Sequence, residues 1–280
     1  MEISHKELLD FISCFKQYLN YDLSEYSENS LMRRLDKVLT DNAITFDVLL
    51  HKISTDAKFC NLVMKQITVN TTELFRDKLM WQELQYKLLP EFEKKSSITI
   101  WHAGCSNGLE VYSLAILLHH MNLLDRCRII ATDINPDIIQ QAIKGEYSLR
   151  LLDEFQIAFD NAIKENPYDS EFKNLHFDTY FEVNRKKEVI AIRQNIKNKP
   201  EFSVLDLVKL DDSFPMKFDI VLCRNVLIYF NNSLQKRVFE YFYNHMNSDA
   251  YLILGMQESM AWFMNSMFEK KGLFYKKCKE

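Results

Sequence analysis

The sequence predicts an α/β fold in which a parallel sheet with helices on both faces follows a helical N-terminal domain. Three observations lead to this prediction. Apolar residues recur at helical spacing through residues 1–68, short apolar runs alternate with helical segments from residue 69 onward, and two glycines lie four residues apart at a junction between strand and helix. Alternating strands and helices are typical of parallel sheets, since parallel neighbours need a crossover connection, usually a helix.

Length and composition restrict the possible classes of protein. The chain has 280 residues, of which 47% are hydrophobic, enough for one large α/β domain and a small companion. A net charge of −4 argues against broad nucleic-acid binding. The N-terminus lacks a basic stretch followed by an apolar one, and no apolar run is long enough to span a bilayer, so we expect a protein that is neither secreted nor membrane-spanning.

The cysteines indicate the cellular compartment in which the protein works. The six cysteines are dispersed and show no CxxC spacing. This pattern gives little support to a disulfide framework or a zinc site. We therefore expect reduced thiols, a cytoplasmic location and no bound metal.

The N-terminal domain, residues 1–68, is predicted to be a small helical bundle. Its periodic apolar residues include Leu8, Ile12, Phe15, Leu19, Leu31, Leu35, Val38, Leu39, Phe59, Leu62, Val63 and Ile67. The stretch "LMRRLDK" brings Arg33, Arg34 and Lys37 close together. These cations form either a docking face for an acidic partner or an ordinary solvated face, and the sequence leaves both open.

The second domain, residues 69–280, is predicted to hold the sheet. Its expected strands are "SITIWHA", "CRIIATD", "EFSVLDL", "FDIVLCRN" and "AYLILGM", and its expected helices cover residues 109–122, 136–143 and 233–246. Residues 149–177 are predicted to be a polar helical insert. The stretch "TYFEVNRKKEVIAIRQNI" alternates in twos around a charged turn, so residues 178–200 are predicted to form a small antiparallel insert.

The two glycines indicate where a ligand binds. Gly104 and Gly108 belong to a chain with only five glycines, and they follow a predicted strand directly. Ligands of open α/β sheets bind at the carboxyl ends of the strands, where glycine lets the backbone approach them. The next strand ends in Asp133, a carboxylate suited to both hydroxyls of a ribose. The combination predicts a nucleoside cofactor.

Three cofactors fit a nucleoside site: a phosphate nucleotide, NAD and S-adenosylmethionine. The loop has neither the Lys-Ser/Thr of a phosphate-binding loop nor the GxGxxG pattern. Glu110 begins the following helix, and its charge would repel a pyrophosphate at that helix N-terminus. S-adenosylmethionine carries a cationic sulfonium and amine instead, so it is the cofactor we expect.

Four stretches resemble the chemotaxis-receptor glutamate methyltransferases, the CheR-like family. They are "NTTELFRD", "WHAGCSNGLEVYSLA", "ATDINPDIIQQAIKGEYS" and "FDIVLCRNVLIYF", in family order and at family spacing. The resemblance implies a class I S-adenosylmethionine-dependent methyltransferase fold, Rossmann-like in its α/β sheet. It also implies methyl transfer to glutamate side chains on a chemoreceptor's cytoplasmic helices, giving glutamyl methyl esters. The expected partner is thus the cytoplasmic domain of a chemoreceptor, with no nucleic acid and with membrane contact only through the receptor.

The resemblance also implies roles for individual residues. Asn70, Thr72 and Arg76 would line the cofactor pocket together with the loop glycines Gly104 and Gly108. Glu110 and Asp133 would bind the methionine part and the ribose, Asp206 and Leu207 would lie near the adenine, and Arg224, Asn225 and Tyr229 would come from the last stretch.

The expected chemistry fits these residue types. A glutamate side chain has a pKa of about 4.3, so it is ionised at neutral pH and needs no general base to attack the sulfonium methyl. It needs orientation, which an arginine fork can provide by holding one carboxylate oxygen. We expect Arg76, Arg224 and Tyr229 to serve as these catalytic residues.

Three positions depart from the family pattern. The family loop usually reads GEEPYS, whereas Leu109 and Val111 replace its first acid and its proline, and Asp206 stands where asparagine is usual. Two alternatives therefore stay open. The chain could methylate another carboxylate or a small molecule, or it could be a non-catalytic, cofactor-binding signalling protein.

Overall fold

The chain divides into two compact units. The computed structural model describes residues 3–68, 72–164, 175–211, 214, 216–260 and 264–278. The first unit comprises residues 1–70, 208–210 and 225–241, and the second comprises 71–207, 211–224 and 242–280. Grouping the two later segments with the N-terminal helices was not expected from the sequence. Within the first unit, an antiparallel bridge between Tyr26 and Phe230 joins one of these segments to the N-terminal residues.

Four helices form the N-terminal part of the first unit: α1 (His5–Leu19), α2 (Glu28–Asn42), α3 (Phe46–Thr55) and α4 (Ala57–Thr68). Ser4 and Glu7 cap α1 reciprocally, since each side chain accepts a hydrogen bond from the other's backbone N–H. Most of the predicted apolar face is buried, but Leu62 is exposed and Phe11, which was not predicted, lies in the core.

The second unit is built on a seven-stranded sheet. Its strands are β1 (Ile98–Ala103), β2 (Cys127–Asp133), β6 (Pro200–Val204), β7 (Phe218–Cys223), β8 (Met246–Leu254), β9 (Phe268–Lys271) and β10 (Phe274–Lys277), and their order is β6-β2-β1-β7-β8-β10-β9. The first five strands in this order run parallel, and β10 and β9 pair antiparallel at one edge. The five parallel strands are the predicted ones. The antiparallel pair was not predicted.

In the described residues of the second unit the helices are α5 (Lys78–Glu83), which precedes β1, and α6 (Leu109–His120), α7 (Pro136–Lys144), α8 (Leu152–Phe159) and α9 (Gln194–Lys197), which follow it. A sixth, α10 (Asn232–Asn244), begins among residues grouped with the first unit. Nine of the twelve residues of α6 are buried, so this helix is a core element. Asn135 caps α7 by accepting hydrogen bonds from the first-turn backbone.

The predicted antiparallel insert is present as β4 (Phe181–Asn184) and β5 (Val189–Ile192). A third strand, β3 (Glu146–Ser148), pairs with β5 and was not predicted. The segment predicted to be polar and helical contains α8, whose Phe155 and Phe159 are buried in the core. Residues 165–174 of that segment lie outside the described residues.

Candidate functional site

The glycine loop turns sharply from β1 into α6. Gly104 and Gly108 have φ angles of +82° and +85°, and Ser106 between them has +51°. The backbone N–H groups of Gly104 and Cys105 both donate to the carbonyl of Thr132 at the end of β2. A Cβ at Gly108 would lie 3.0 Å from the Cβ of Ala142 on α7. Glycine is thus required at position 108 by its backbone conformation and by packing against α7.

Asp133 ends β2 and holds the same loop. One carboxylate oxygen accepts from the backbone N–H of Ser106 at 2.9 Å, and the other accepts from Asn135 at 3.0 Å. Burial raises the pKa of Asp133 above its ordinary value, even though backbone hydrogen bonds oppose the shift. The backbone N–H of Ile134 is a third donor to this carboxylate. An ionised carboxylate has about four acceptor sites, so capacity remains for a ribose hydroxyl.

The segment after β6 lies next to Asp133, because Val204 pairs with Asp133 in the sheet and the N–H of Leu205 donates to the Asp133 carbonyl at 3.0 Å. Asp206 and Leu207 follow at once, and Leu207 is buried. Asp206 and Leu207, which are expected near the adenine, therefore follow the carboxyl end of β6. This end lies beside the carboxyl end of β2, where Asp133 is expected to bind the ribose.

A buried charge cluster lies at the start of α6. Arg224, directly after β7, has no exposed side-chain surface and donates to Glu110 at 2.7 Å and to Asp77 at 2.6 Å. Burial alone would raise the pKa of Glu110. The charge of Arg224 and the nearby imidazole of His102 outweigh this effect and hold that pKa below its ordinary value. The fork expected to be open for an acceptor carboxylate is therefore engaged by two carboxylates of the protein itself.

Two members of this cluster, Asp77 and His102, were missed by sequence reasoning. Asp77 stands in the "NTTELFRD" stretch but is 147 positions from Arg224. His102 lies in a strand with Nδ1 3.5 Å from Glu110. The sequence did offer one indication of these residues: each is an ionisable side chain close to apolar residues. Such a side chain needs a polar partner when it is buried.

Arg76 differs from Arg224 in its environment. The Arg76 carbonyl accepts hydrogen bonds from Trp81 at 2.8 Å and from Arg224 at 3.3 Å, which fixes its backbone. Its half-buried guanidinium makes no hydrogen bond or ion pair within the described part of the chain. Thr72, also half-buried, lies four residues earlier, and Asn70 lies outside the described residues.

The remaining two site residues belong to the first unit. Asn225 has a φ angle of +59°. The Tyr229 carbonyl accepts from the N–H of Ser27 at 2.8 Å, and its ring lies 4.1 Å from the guanidinium carbon of Arg34. Arg34 is buried, whereas Arg33 and Lys37 are exposed. The three cations therefore do not share one exposed face, as the sequence analysis had supposed.

The departures Leu109 and Val111 are core residues with 2% and 0% exposure. They contribute apolar packing to the first turn of α6. Cys105 in the loop is also buried, and burial together with the Asp133 charge raises the pKa of its thiol well above the ordinary value. Its thiol therefore stays protonated at neutral pH and packs as a small residue.

The described residues show neither a metal-ligand cluster nor a membrane-spanning helix. No group of three or more His, Cys, Asp and Glu side chains in that part of the chain could hold a metal ion. Among the helices described above, none combines the length and apolarity needed to cross a bilayer.

Relatives of known name cover most of the chain. The chain is 29% identical over 258 residues to the chemotaxis protein methyltransferase of Listeria innocua, covering 91% of this chain and 90% of the relative. It is 26% identical over 280 residues to the chemotaxis protein methyltransferase of Borreliella burgdorferi, covering 93% and 90%.

Two solved methyltransferase structures align with part of the chain at low TM-scores. The N-methyltransferase NodS from Bradyrhizobium japonicum, in complex with S-adenosyl-L-homocysteine, has a TM-score of 0.33 and 12% identity, covering 63% of this chain and 58% of that one. The plantazolicin methyltransferase BpumL has a TM-score of 0.37 and 11% identity, covering 79% and 61%.

The family model "CheR methyltransferase, SAM binding domain" matches residues 70–275. This match includes the glycine loop, Asp133 and the whole charge cluster. The mostly parallel central sheet and its helices form the class I methyltransferase fold that the resemblance implies. The chain therefore belongs to the CheR methyltransferase family, and its cofactor is S-adenosylmethionine.

Proposed function

We propose that this chain methylates glutamate side chains on the cytoplasmic helices of a chemoreceptor and produces glutamyl methyl esters. The chemotaxis context is supported by the names of its relatives. The observation that carries the choice of a carboxylate acceptor is the guanidinium of Arg76, which has no partner in the described part of the chain although its backbone is fixed by two hydrogen bonds. A guanidinium that is free to bind, on a backbone that is held in place, suits a carboxylate acceptor.

The chain's task in this reaction is orientation. When bound, S-adenosylmethionine supplies the methyl group: an acceptor oxygen bonds to the methyl carbon, the carbon–sulfur bond breaks, and its electron pair stays on sulfur as a neutral thioether. An ionised carboxylate loses no proton, so no side chain has to act as a base. Arg76 holds one acceptor oxygen so that the other is aimed at the methyl group.

The remaining site residues have roles in cofactor binding, in positioning and in catalysis. Asp133 accepts hydrogen bonds from the ribose, and Glu110 pairs with the cationic methionine part. Arg224 acts through Glu110 and Asp77, which is a positioning role. Tyr229 retains the catalytic role that the resemblance implies.

The nature of the methyl bond tests the proposal. The chain is incubated with S-adenosylmethionine labelled in its methyl group and with receptor-containing lysate, and the protein fraction is then made alkaline. Hydroxide releases volatile methanol from a methyl ester, whereas methyl groups on nitrogen or carbon stay attached. Label that remains on protein after this treatment contradicts a carboxylate acceptor. Base-labile label found only in small molecules contradicts a receptor substrate.

A further inference from the structure

His102 is a buried histidine whose ring makes no hydrogen bond within the described residues. It lies on β1 between β2 and β7, opposite Ala131 and Leu222, and is 1% exposed. Among the described residues, neither ring nitrogen has a hydrogen-bond partner. A buried polar group without a partner destabilises a protein, and such groups are rare in native proteins.

The carboxylate of Glu110 lies close to this ring. Nδ1 of His102 lies 3.5 Å from Oε1 of Glu110, while Nη1 of Arg224 lies 2.7 Å from Oε2. The first distance is longer than a good hydrogen bond, whereas the second is that of a charge-assisted one. Hydrogen bonds in functional sites often have this length until the ligand binds and then shorten.

Two contacts at two different oxygens restrain a carboxylate more than one contact does. With Arg224 alone, Glu110 can rotate about the bond that carries its carboxylate and still keep Oε2 near the guanidinium. A second donor at Oε1 removes this freedom. With its proton on Nδ1, the imidazole of His102 can donate to that oxygen.

We propose that His102 is a positioning residue of the cofactor site, which fixes the plane of the Glu110 carboxylate toward the cationic methionine part of the cofactor. The proposal rests on the role of Glu110 in the proposed function. It predicts a selective effect, because only ligands that carry the methionine part depend on Glu110. A histidine that merely fills the core would affect every ligand equally or none.

Two ligands separate these cases: S-adenosylhomocysteine, which has the methionine-derived amine, and 5′-methylthioadenosine, which keeps the adenosyl thioether but lacks the amino-acid part. Affinities for both are measured by calorimetry on the full chain. His102→Phe keeps a ring of similar size without donors, and His102→Asn restores a donor close to Nδ1. His51→Ala, at an exposed histidine of the first unit, is the matched control.

We expect His102→Phe to weaken S-adenosylhomocysteine binding by about tenfold, the range of a hydrogen bond to a charged group, and to leave 5′-methylthioadenosine binding unchanged. His102→Asn should recover most of the lost affinity. His102→Phe should add nothing when Glu110→Gln is already present. His102→Ala gives the same readout if the phenylalanine variant folds poorly.

Unchanged affinity for S-adenosylhomocysteine in His102→Phe, or an equal loss for both ligands, overturns the proposal. Acceptor methylation does not enter this measurement. A wild-type chain that binds S-adenosylhomocysteine but forms no methyl ester contradicts the proposed function and leaves this inference standing.

Discussion

Arg224 donates to Glu110 at 2.7 Å from a side chain that has no solvent-exposed surface. A cation buried to this degree requires compensation, and a second carboxylate, Asp77, provides it at 2.6 Å. Arg224 therefore links the segment before α5 to the first turn of α6. From the sequence, Arg224 is expected to hold the acceptor carboxylate. Its engagement by both carboxylates supports a role in shaping the cofactor site instead.

Arg224→Ala should therefore destabilise the protein and weaken cofactor binding together. Removing one partner of a buried ion pair leaves an uncompensated charge, and such changes cost about 3–5 kcal/mol. Arg224→Lys should not restore wild-type behaviour, because a single ammonium cannot replace the two-pronged fork. The free energy of unfolding in urea and the affinity for S-adenosylhomocysteine are the measurements.

Arg128→Ala is the control for this prediction, because Arg128 forms an ion pair with Glu201 at 2.8 Å in which both side chains are more than half exposed. Its unfolding midpoint should match wild type. A wild-type unfolding free energy in Arg224→Ala would contradict the buried-cluster interpretation.

Gly108→Ala should destabilise the protein more than Gly272→Ala. Both glycines have positive φ angles, +85° and +62°, so alanine strains either backbone by about 1–2 kcal/mol. At Gly108 the new Cβ would also lie 3.0 Å from Ala142, whereas at Gly272 the nearest atom is 3.8 Å away. Crowding in a packed region adds about 1–3 kcal/mol. Urea unfolding measures the difference, and equal losses would show that packing against α7 is unimportant.

Cofactor affinity should fall as the pH is lowered through the pKa of Asp133. Burial raises that pKa, so Asp133 takes up its proton at a higher pH than an ordinary aspartate, whose pKa is about 3.9. In the proposed site the ionised form accepts hydrogen bonds from the ribose, so we expect affinity to be full above the raised pKa and lost below it. A raised pKa also means that protonation of this group favours the folded state as pH falls, so its titration does not itself unfold the protein.

Calorimetry with S-adenosylhomocysteine at a series of pH values downward from neutral tests this prediction. Asp133→Asn should bind more weakly and lack this titration. A wild-type affinity that stays constant over the acid range in which the protein remains folded would remove Asp133 from the ribose site.

Arg34→Ala should destabilise the first unit. Arg34 is 9% exposed, donates to the carbonyl of Ile67 at 2.8 Å and lies over the ring of Tyr229. Losing the hydrogen bond and the cation–π contact should lower the free energy of unfolding by about 1–3 kcal/mol. Arg33→Ala, at the exposed neighbouring position, is the matched control and should unfold like wild type. Equal stability in the two variants would show that Arg34 is as dispensable as a surface arginine.

The parallel sheet could be predicted because its strands are apolar runs of the kind that burial on both faces requires. The antiparallel strands β9 and β10 could not be predicted, since their sequences "FEKK" and "FYKK" are short and rich in lysine and therefore look like loops. Only β9 lies at the edge of the sheet, where lysines are common in strands because they oppose aggregation. The glycine loop and Asp133 could be predicted, because each directly follows or ends an apolar strand and can be recognised from the neighbouring sequence. The pairing of Asp77 with Arg224 depends on a chain separation of 147 residues, which no local pattern reports.

Arg76→Ala should abolish most methyl transfer while leaving the cofactor site intact. The Arg76 guanidinium has no partner within the described residues, so removing it leaves no buried carboxylate uncompensated there, in contrast to Arg224. We expect kcat/KM for receptor protein to fall by about a hundredfold, corresponding to about 3 kcal/mol for a charged hydrogen bond. The unfolding free energy should stay at the wild-type value, and so should the affinity for S-adenosylhomocysteine if Arg76 acts on the acceptor.

Turnover is measured as base-released methanol, so that only ester formation is counted. Arg76→Lys keeps the charge without the planar guanidinium and should recover only part of the activity, because an ammonium is a point charge that orients a carboxylate less well than donors in fixed directions. A variant Arg76→Ala that loses cofactor affinity in proportion to its turnover would move Arg76 from the acceptor to the cofactor pocket. A variant that methylates receptor at the wild-type rate would leave the carboxylate acceptor without its proposed anchor.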